Sequence, residues 1–184
     1  LETILKYNQS FGKHNIDAMV GYSWQYFYSE GQTTKAYGFL SENFKWYSLA
    51  AAQTVESISS YAESNTLISM YGRVNYNYAD KYLLTATIRR DGSSRFGSGN
   101  KWGIFPSVAA SWRISQEDFF QNDIMSDLKL RASFGITGSQ EIGNYNSLST
   151  LGASTNGYLV GGEKITIVLP QQYTNPDLKW ETRS

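Results

Sequence analysis

The sequence of 184 residues contains no cysteine, one histidine and three prolines. Without cysteine, the chain has no disulfide bonds and no thiolate metal sites. His14 falls in a predicted tight turn, where neither a catalytic triad nor a histidine metal cluster can be assembled around it. Sixteen basic residues balance sixteen acidic ones, so no basic patch points to a nucleic-acid partner. No apolar run is long enough for a membrane-spanning helix.

Aromatic residues and glycine are abundant, with 14 Tyr, 9 Phe, 5 Trp and 16 Gly. This composition favours strands and turns over helices. Alternation of apolar and polar residues predicts six strands, at 3–11, 16–25, 68–78, 82–89, 104–114 and 128–137. A strand of about ten residues tilted by ~45° rises about 24 Å, which matches the apolar band of an outer-membrane barrel.

The predicted connections differ in length at the two ends of the strands. Residues 12–15 and 79–81 read as tight turns, whereas 27–65 and 138–178 read as long connections. Residues 91–102 form a predicted Gly/Ser-rich loop, and an intermediate segment, 115–127, has a predicted helical turn around residues 117–120. Short turns at one end and long loops at the other are typical of transmembrane barrels.

Several motifs occur in a fixed order along the second half of the chain. They are DGSSRF at 91–96, WG at 102–103, FPS at 105–107, LKLRAS at 128–133, the glycines at 135, 138 and 143, and NPDLKWE at 175–181. Together they resemble the SusC/RagA-type TonB-linked outer-membrane transporters. The resemblance runs through about residues 66–146 and returns at the terminal patch.

The resemblance implies an all-β, up-and-down transmembrane barrel of about 22 antiparallel strands, of which this chain supplies six to eight. Residues 1–184 then form one fragment of the C-terminal barrel, without the plug domain and the remaining strands. The family imports large nutrients, glycans or peptides, across the outer membrane of Gram-negative bacteria. A SusD-like surface lipoprotein is the implied partner, and the TonB complex would engage an N-terminal region that this sequence lacks.

In this arrangement each strand has a face toward lipid and a face toward a wet lumen. Ala86 and Ile88 would contact lipid, whereas Thr85 and Thr87 would face the lumen. Four arginines occupy lumen-facing positions of successive strands: Arg73, Arg89, Arg113 and Arg131. They predict an electropositive strip that contacts the plug or an anionic substrate. The alternative is a simple polar wall in which the four charges are solvated or paired.

The predicted extracellular segments also hold candidate contact residues. Exposed aromatics among polar residues suit sugar stacking or a protein partner, or else pack on each other inside the loop. The candidates for ligand or partner contacts are Tyr37, Phe39, Trp46, Tyr47, Asp91 and Arg95.

No constellation in the sequence predicts catalysis, a cofactor or a metal site, so we expect a porter and not an enzyme. Two other classes stay open at this point. An outer-membrane barrel enzyme would need convergent catalytic residues at the loop end. A soluble carbohydrate-binding β-sandwich would bury the apolar faces of the strands beneath a second layer.

Overall fold

The computed structural model describes residues 1–41, 43, 45–120 and 125–184. Ten strands occur in these ranges: β1 Glu2–Phe11, β2 His14–Tyr37, β3 Thr54–Tyr78, β4 Tyr82–Ser93, β5 Trp102–Arg113, β6 Lys129–Gly135, β7 Thr137–Ser139, β8 Thr150–Val160, β9 Glu163–Gln172 and β10 Glu181–Arg183. Short 3-10 helices occupy Lys45–Tyr47, Leu49–Ala51 and Ile114–Gln116. Within the described ranges, no helix is long and apolar enough to cross a membrane.

Strands β1 to β6 form one sheet in sequence order, and β8–β9 and β7–β10 form two-stranded sheets. The pairings β1–β2, β3–β4, β4–β5 and β5–β6 are antiparallel. This is the up-and-down order of a barrel wall, and it confirms the predicted fold class for a partial, unclosed barrel. We call the end where β3 meets β4 the turn end, and the end where β4 meets β5 the loop end.

Both predicted tight turns are present, and their backbones explain their sequences. Phe11 pairs with His14, so the first hairpin has a two-residue loop that begins with Gly12 at φ 60°. Glycine occupies this left-handed region at no steric cost. The second turn places Ala79 and Asp80 at φ 54° and 56°, which is a less common conformation for residues with a side chain.

No second layer formed by the described residues covers the apolar face of the main sheet. Val108 is 46% exposed, Ile88 58% and Leu130 61%. The register places Ala86 opposite Val108, so these side chains form one continuous surface across neighbouring strands. A soluble sandwich would bury this face as its core, and the structure is therefore inconsistent with that alternative.

The buried hydrophobic residues of the described chain lie at the loop end. Phe96, Phe105 and Trp180 are the buried members, and Leu67 and Ile136 are among the partly buried residues that pack against them. Ile104, the residue before Phe105 in β5, is 59% exposed on the apolar face, and neighbouring residues of a strand point to opposite faces. The core therefore forms on the opposite, polar face of the sheet.

Two segments predicted as long connections contain strands, and these predictions were wrong. Strand β2 continues to Tyr37 and β3 begins at Thr54, so only 38–53 connects them and not 27–65. The alternation that marks a half-buried strand is weak here, because side chains on both faces of these extensions are mostly exposed. The predicted loop 138–178 likewise contains the β8–β9 hairpin, which turns at Gly161 and Gly162 with φ 65° and 89°.

Smaller corrections concern the remaining connections. Strand β4 extends to Ser93, so part of the predicted loop 91–102 belongs to the sheet. The 3-10 helix lies at Ile114–Gln116, three residues before the predicted helical turn. At the predicted position, Phe120 N donates a hydrogen bond of 3.0 Å to Glu117 O, which closes a single turn. The rest of the predicted 115–127 segment includes 121–124, which lie outside the described residues.

Pro106 does not interrupt its own strand, although its position predicts a bulge or local break. Ile88 pairs with Pro106 without a shift in register. The carbonyl of Pro106 accepts a hydrogen bond of 2.9 Å from Ile136 N. In an antiparallel ladder the N–H and C=O of one residue point to the same neighbouring strand, so the N–H that proline lacks would also point toward the segment around Ile136. There the neighbouring strand is interrupted, since β6 ends at Gly135 and β7 begins at Thr137.

The chain divides into two compact units. One unit comprises Leu1–Gln25 and Thr66–Ser184, and it contains the loop-end core and the turn end. The other comprises Tyr26–Asn65, where the tyrosine ring of Tyr61 occupies the space that a side chain on Gly31 would need.

Candidate functional site

The motifs at the loop end meet in one packed cluster. The rings of Phe96 and Trp180 lie 5.0 Å apart, and Phe105 meets Trp180 edge-on at 5.3 Å. Trp180 Nε1 donates a bond of 3.0 Å to the carbonyl of Lys101. This motif cluster, Phe96, Phe105 and Trp180, therefore joins segments that are 84 positions apart in the chain, from 96 to 180. Edge-on and offset ring contacts add to the stability that burial provides.

Glycines beside the cluster allow the rings to approach the backbone. A methyl group on Gly138 would overlap the ring of Phe105, and one on Gly103 would contact both Phe105 and Trp180. A methyl group on Gly97 would overlap the carbonyl of Pro176. These glycines serve as contact surfaces, because their φ values lie outside the left-handed region that glycine favours.

Arg89 and Asp91 form an ion pair on the same face. Arg89 Nε lies 2.7 Å from Asp91 Oδ2, and the guanidinium also donates to Ser69 Oγ at 3.0 Å. The side chain of Asp91 is 10% exposed, whereas that of Arg89 is 47% exposed. The pair thus has a shielded carboxylate and a guanidinium that still reaches open space.

Arg95 attaches the segment 140–144 to the loop beside the motif cluster. Its Nε donates to Asn144 Oδ1 at 2.9 Å and a terminal nitrogen donates to Gln140 O at 3.1 Å. Asn100 Nδ2 similarly donates to Pro176 O at 3.2 Å. Three hydrogen bonds from Arg95 and Asn100 therefore attach the residues on both sides of the β8–β9 hairpin to the loop that follows β4.

A groove of about 470 Å³ opens beside the cluster on the polar face. Its lining is formed by Leu67, Thr87, Arg89, Asp91, Phe105, Ser107, Gly135, Ile136, Thr137, Gly138, Gln140 and Trp180. Most of this surface is apolar, and the hydroxyl, amide and charged groups are set within it, which suits an organic ligand with both apolar and polar parts or a protein segment. We call it the polar-face groove.

The described part of the chain contains no arrangement of side chains suited to hydrolysis or to metal binding. His14 Nδ1 lies 2.7 Å from Tyr76 Oη at the turn end, at the opposite end of β4 from the groove. Across the described ranges, no three His, Asp or Glu side chains are placed to hold a metal ion. The polar-face groove therefore offers contact groups to a ligand, and its lining contains no His or Cys.

A second polar network closes the turn end. Glu117 accepts hydrogen bonds from Tyr82 Oη at 2.7 Å, Trp112 Nε1 at 2.9 Å and Lys81 Nζ at 3.0 Å. In that order of importance, these donors lower the pKa of the Glu117 carboxyl to about 2. The same bond raises the pKa of Lys81. Glu117 thus stays ionised and fastens the turn after β5 to the start of β4.

The family model described as TonB dependent receptor-like, beta-barrel, matches residues 1–183 of this chain. The chain belongs to the TonB-dependent receptor β-barrel family. TonB-dependent receptor P3 of Formosa agariphila is 38% identical over 182 residues, which cover 98% of this chain and 18% of that protein. TonB-dependent receptor SusC of Bacteroides thetaiotaomicron is 37% identical over 185 residues, covering 96% of this chain and 17% of SusC.

Solved structures agree with this assignment. The RagAB peptide importer in its closed-closed state superposes with a TM-score of 0.84 at 26% identity, covering 98% of this chain and 20% of that one. A second RagAB peptide transporter structure gives a TM-score of 0.81 at 28% identity. The chain therefore spans about a fifth of the receptors that it matches, and the predicted SusC/RagA resemblance is confirmed.

The sheet register of this receptor-barrel segment separates the four candidate arginines into two pairs. Arg73 is opposite Thr87 and Arg89 is opposite Tyr71, so these two are diagonal neighbours, with Arg73 in the middle of the paired strands and Arg89 toward the loop end. Near the turn end, Arg113 pairs with Lys129, two positions from Arg131. Arg89 is held by Asp91. A continuous electropositive strip stays a prediction, and the ion pair favours the alternative of a paired polar wall at that point.

The candidate contact residues fall in both units of the chain. Tyr37, Phe39, Trp46 and Tyr47 belong to the unit Tyr26–Asn65, in which the rings of Trp46 and Tyr47 are 4.2 Å apart. Trp46 and Tyr47 are 73% and 69% exposed. Asp91 and Arg95 instead have structural partners in the loop-end network. A role for any of these six residues in ligand or partner binding stays a prediction.

The sequence pattern does not predict the roles of two residues that accept structural hydrogen bonds. Ser69, fully buried, supports the Arg89–Asp91 pair, and Glu117 was read as a turn residue only. Nothing in the local pattern marks Ser69, since serine is frequent on the polar faces of these strands. The sequence holds only a partial signal for Glu117, because Trp112 is five positions away whereas Lys81 and Tyr82 are brought to it by the β4–β5 register.

Proposed function

We propose that this chain is part of the barrel wall of a TonB-dependent transporter in the outer membrane of a Gram-negative bacterium. The observation that carries the proposal is the exposed apolar face of a two-faced antiparallel sheet in a member of this receptor family. An apolar sheet surface of this size in water would promote aggregation, whereas in a bilayer it is the surface that contacts lipid.

The dimensions of the central strands support the membrane placement. Strands β4 and β5 have 12 residues each. At ~3.3 Å per residue and a tilt of ~45°, each rises about 28 Å, close to the apolar band of about 25 Å. Aromatic rings meet at the turn end, with Tyr78 near Tyr82 at 6.3 Å and Tyr82 near Trp112 at 6.5 Å. Such a row is typical of an interfacial girdle.

In this proposal the polar face borders the lumen through which a large nutrient passes. The RagAB neighbours are described as importers of peptides, and SusC is a related receptor. A peptide or a glycan would meet the mixed aromatic and polar lining of the polar-face groove. A SusD-like lipoprotein would bind at the loop end, and the plug domain and TonB-contacting region would come from further parts of a longer receptor.

Cysteine labelling of the full receptor in native outer membranes tests the placement, because this chain has no cysteine of its own. Val108→Cys and Leu130→Cys should react with a lipid-phase probe, and the matched variants Thr87→Cys and Ser107→Cys should react only with a water-soluble maleimide. The opposite pattern, or a receptor that remains soluble without detergent, would refute the proposal. Loss of nutrient uptake after deletion of the receptor or its lipoprotein would test the transport role.

A further inference from the structure

A second groove lies on the apolar face near the turn end. It encloses about 390 Å³, and its lining is almost entirely apolar. Ala110 and Ala132 are opposite each other across β5 and β6, where their small side chains leave a depression. Tyr82 and Trp112 bound it on the turn side, with ring planes inclined by only 11°. We call this depression the apolar-face groove.

The groove is open toward a charged turn. Both aromatic residues at its border, Tyr82 and Trp112, donate to Glu117. Glu117 already accepts from three donors, so Asp118, whose side chain is fully exposed, is the carboxylate with room for a further donor beside its ion pair with Lys81. Lys81 Nζ lies 3.0 Å from Glu117 and 3.6 Å from Asp118, with 23% of its side chain exposed. The three groups Lys81, Glu117 and Asp118 carry +1, −1 and −1, a net charge of −1 beside the groove, whereas Arg113 and Lys129 at the same end occupy polar-face positions of β5 and β6.

We propose that the apolar-face groove and this turn bind one phospholipid with a primary-ammonium headgroup, phosphatidylethanolamine. This inference rests on the proposed membrane placement, which puts the turn end at the periplasmic leaflet. One acyl chain occupies the depression over Ala110 and Ala132. The ammonium donates to Asp118, and the phosphate accepts from Lys81. The negative net charge of the turn disfavours an anionic headgroup, and a quaternary ammonium has no N–H to donate to Asp118.

Native mass spectrometry of the full receptor, purified from outer membranes and titrated with defined lipids, tests the proposal. The probes are phosphatidylethanolamine, phosphatidylcholine and phosphatidylglycerol with identical acyl chains. We expect one copy of phosphatidylethanolamine to bind up to about fivefold tighter than either of the others, since it alone offers a charged N–H donor to Asp118 and such an exposed contact contributes up to ~1 kcal/mol. Equal retention of the three lipids would overturn the proposal.

Two variants separate the two halves of the site. Ala132→Phe fills the depression and should lower retention of phosphatidylethanolamine severalfold, because the acyl chain loses its packing contacts with the alanine surface. Asp118→Asn, in an exposed turn where misfolding is not expected, should abolish the preference over phosphatidylcholine while leaving the acyl contact. Ile88→Phe is the matched control, because it enlarges a side chain on the same face outside the groove.

The alternatives give distinct results. If a second copy of the receptor covers the groove, Ala132→Cys should cross-link between copies in membranes, and this would overturn the lipid site. If the receptor is found outside the outer membrane on fractionation, the proposed function fails. A correctly located receptor whose lipid retention is unaffected by Ala132→Phe and Asp118→Asn would sink this inference alone.

Discussion

Truncation of Phe105 should loosen the loop end without disturbing the turn end. Phe105 is 7% exposed and contacts Trp180, with Gly103 and Gly138 closing around its ring. Replacing a buried Phe by Ala costs about 3 to 5 kcal/mol, and the lower value applies here because the vacated space opens to the polar-face groove. A local loss of about 3 kcal/mol corresponds to roughly a hundredfold increase in the open population.

Hydrogen exchange of the full receptor in detergent or bilayers measures this change. In Phe105→Ala, the amides of residues 137–139 and 181–183 should exchange roughly a hundredfold faster, because the short β7–β10 pairing lies against the cluster. Ile104→Ala is the matched control: Ile104 is the preceding residue on the exposed apolar face. Equal acceleration in the two variants, or none in Phe105→Ala, would refute the view that this ring holds the loop end together.

Two further predictions concern single contacts. Gly138→Val should displace the ring of Phe105 and accelerate the same amides, whereas Gly99→Ala, where a methyl group meets nothing within 4 Å, should have no such effect; no difference between them would contradict the packing role. The lowered pKa of Glu117 contributes stability that is fully present above the ordinary value of 4.5 and is lost as the pH falls toward about 2. Fluorescence of the turn-end Trp112 should therefore change between about pH 4.5 and 2 in the wild type, and this step should be absent in Glu117→Gln. An identical titration in the variant would show that Glu117 does not hold the turn.

The parts of the fold that the sequence predicts well are those where the two faces of a strand meet different surroundings. In β4, Tyr82, Leu84, Ala86 and Ile88 are exposed on the apolar face while the residues between them, up to Thr87, are half-buried. A period of two is visible there because each face has its own composition. The extensions of β2 and β3 have no such contrast, since both faces are exposed, and they were consequently read as a loop.

The candidate site also has one part that the sequence predicts and one part that it does not. The motif residues around Phe105 and Trp180 could be recognised as a set, but their convergence depends on where the chain returns after the β8–β9 hairpin. Local alternation carries no information about that return, which joins Lys101 to Trp180. Alternation places Asp91, two residues further along the same strand, on the face of Arg89, but the contact of Arg89 with Ser69 depends on the β3–β4 register, which the local pattern does not carry.

The segment that contains the β8–β9 hairpin is attached to the loop after β4 at both of its ends, and this has a practical consequence. Arg95 fixes the chain before the hairpin, and Asn100 and Lys101 fix it again at Pro176 and Trp180. The segment between these contacts, which contains the β8–β9 hairpin, leaves the sheet and returns to it at fixed points. Its length therefore does not affect the register of the main strands. Gly161–Gly162 is therefore a position where an epitope tag or foreign peptide can be grafted while the wall beneath keeps its alignment.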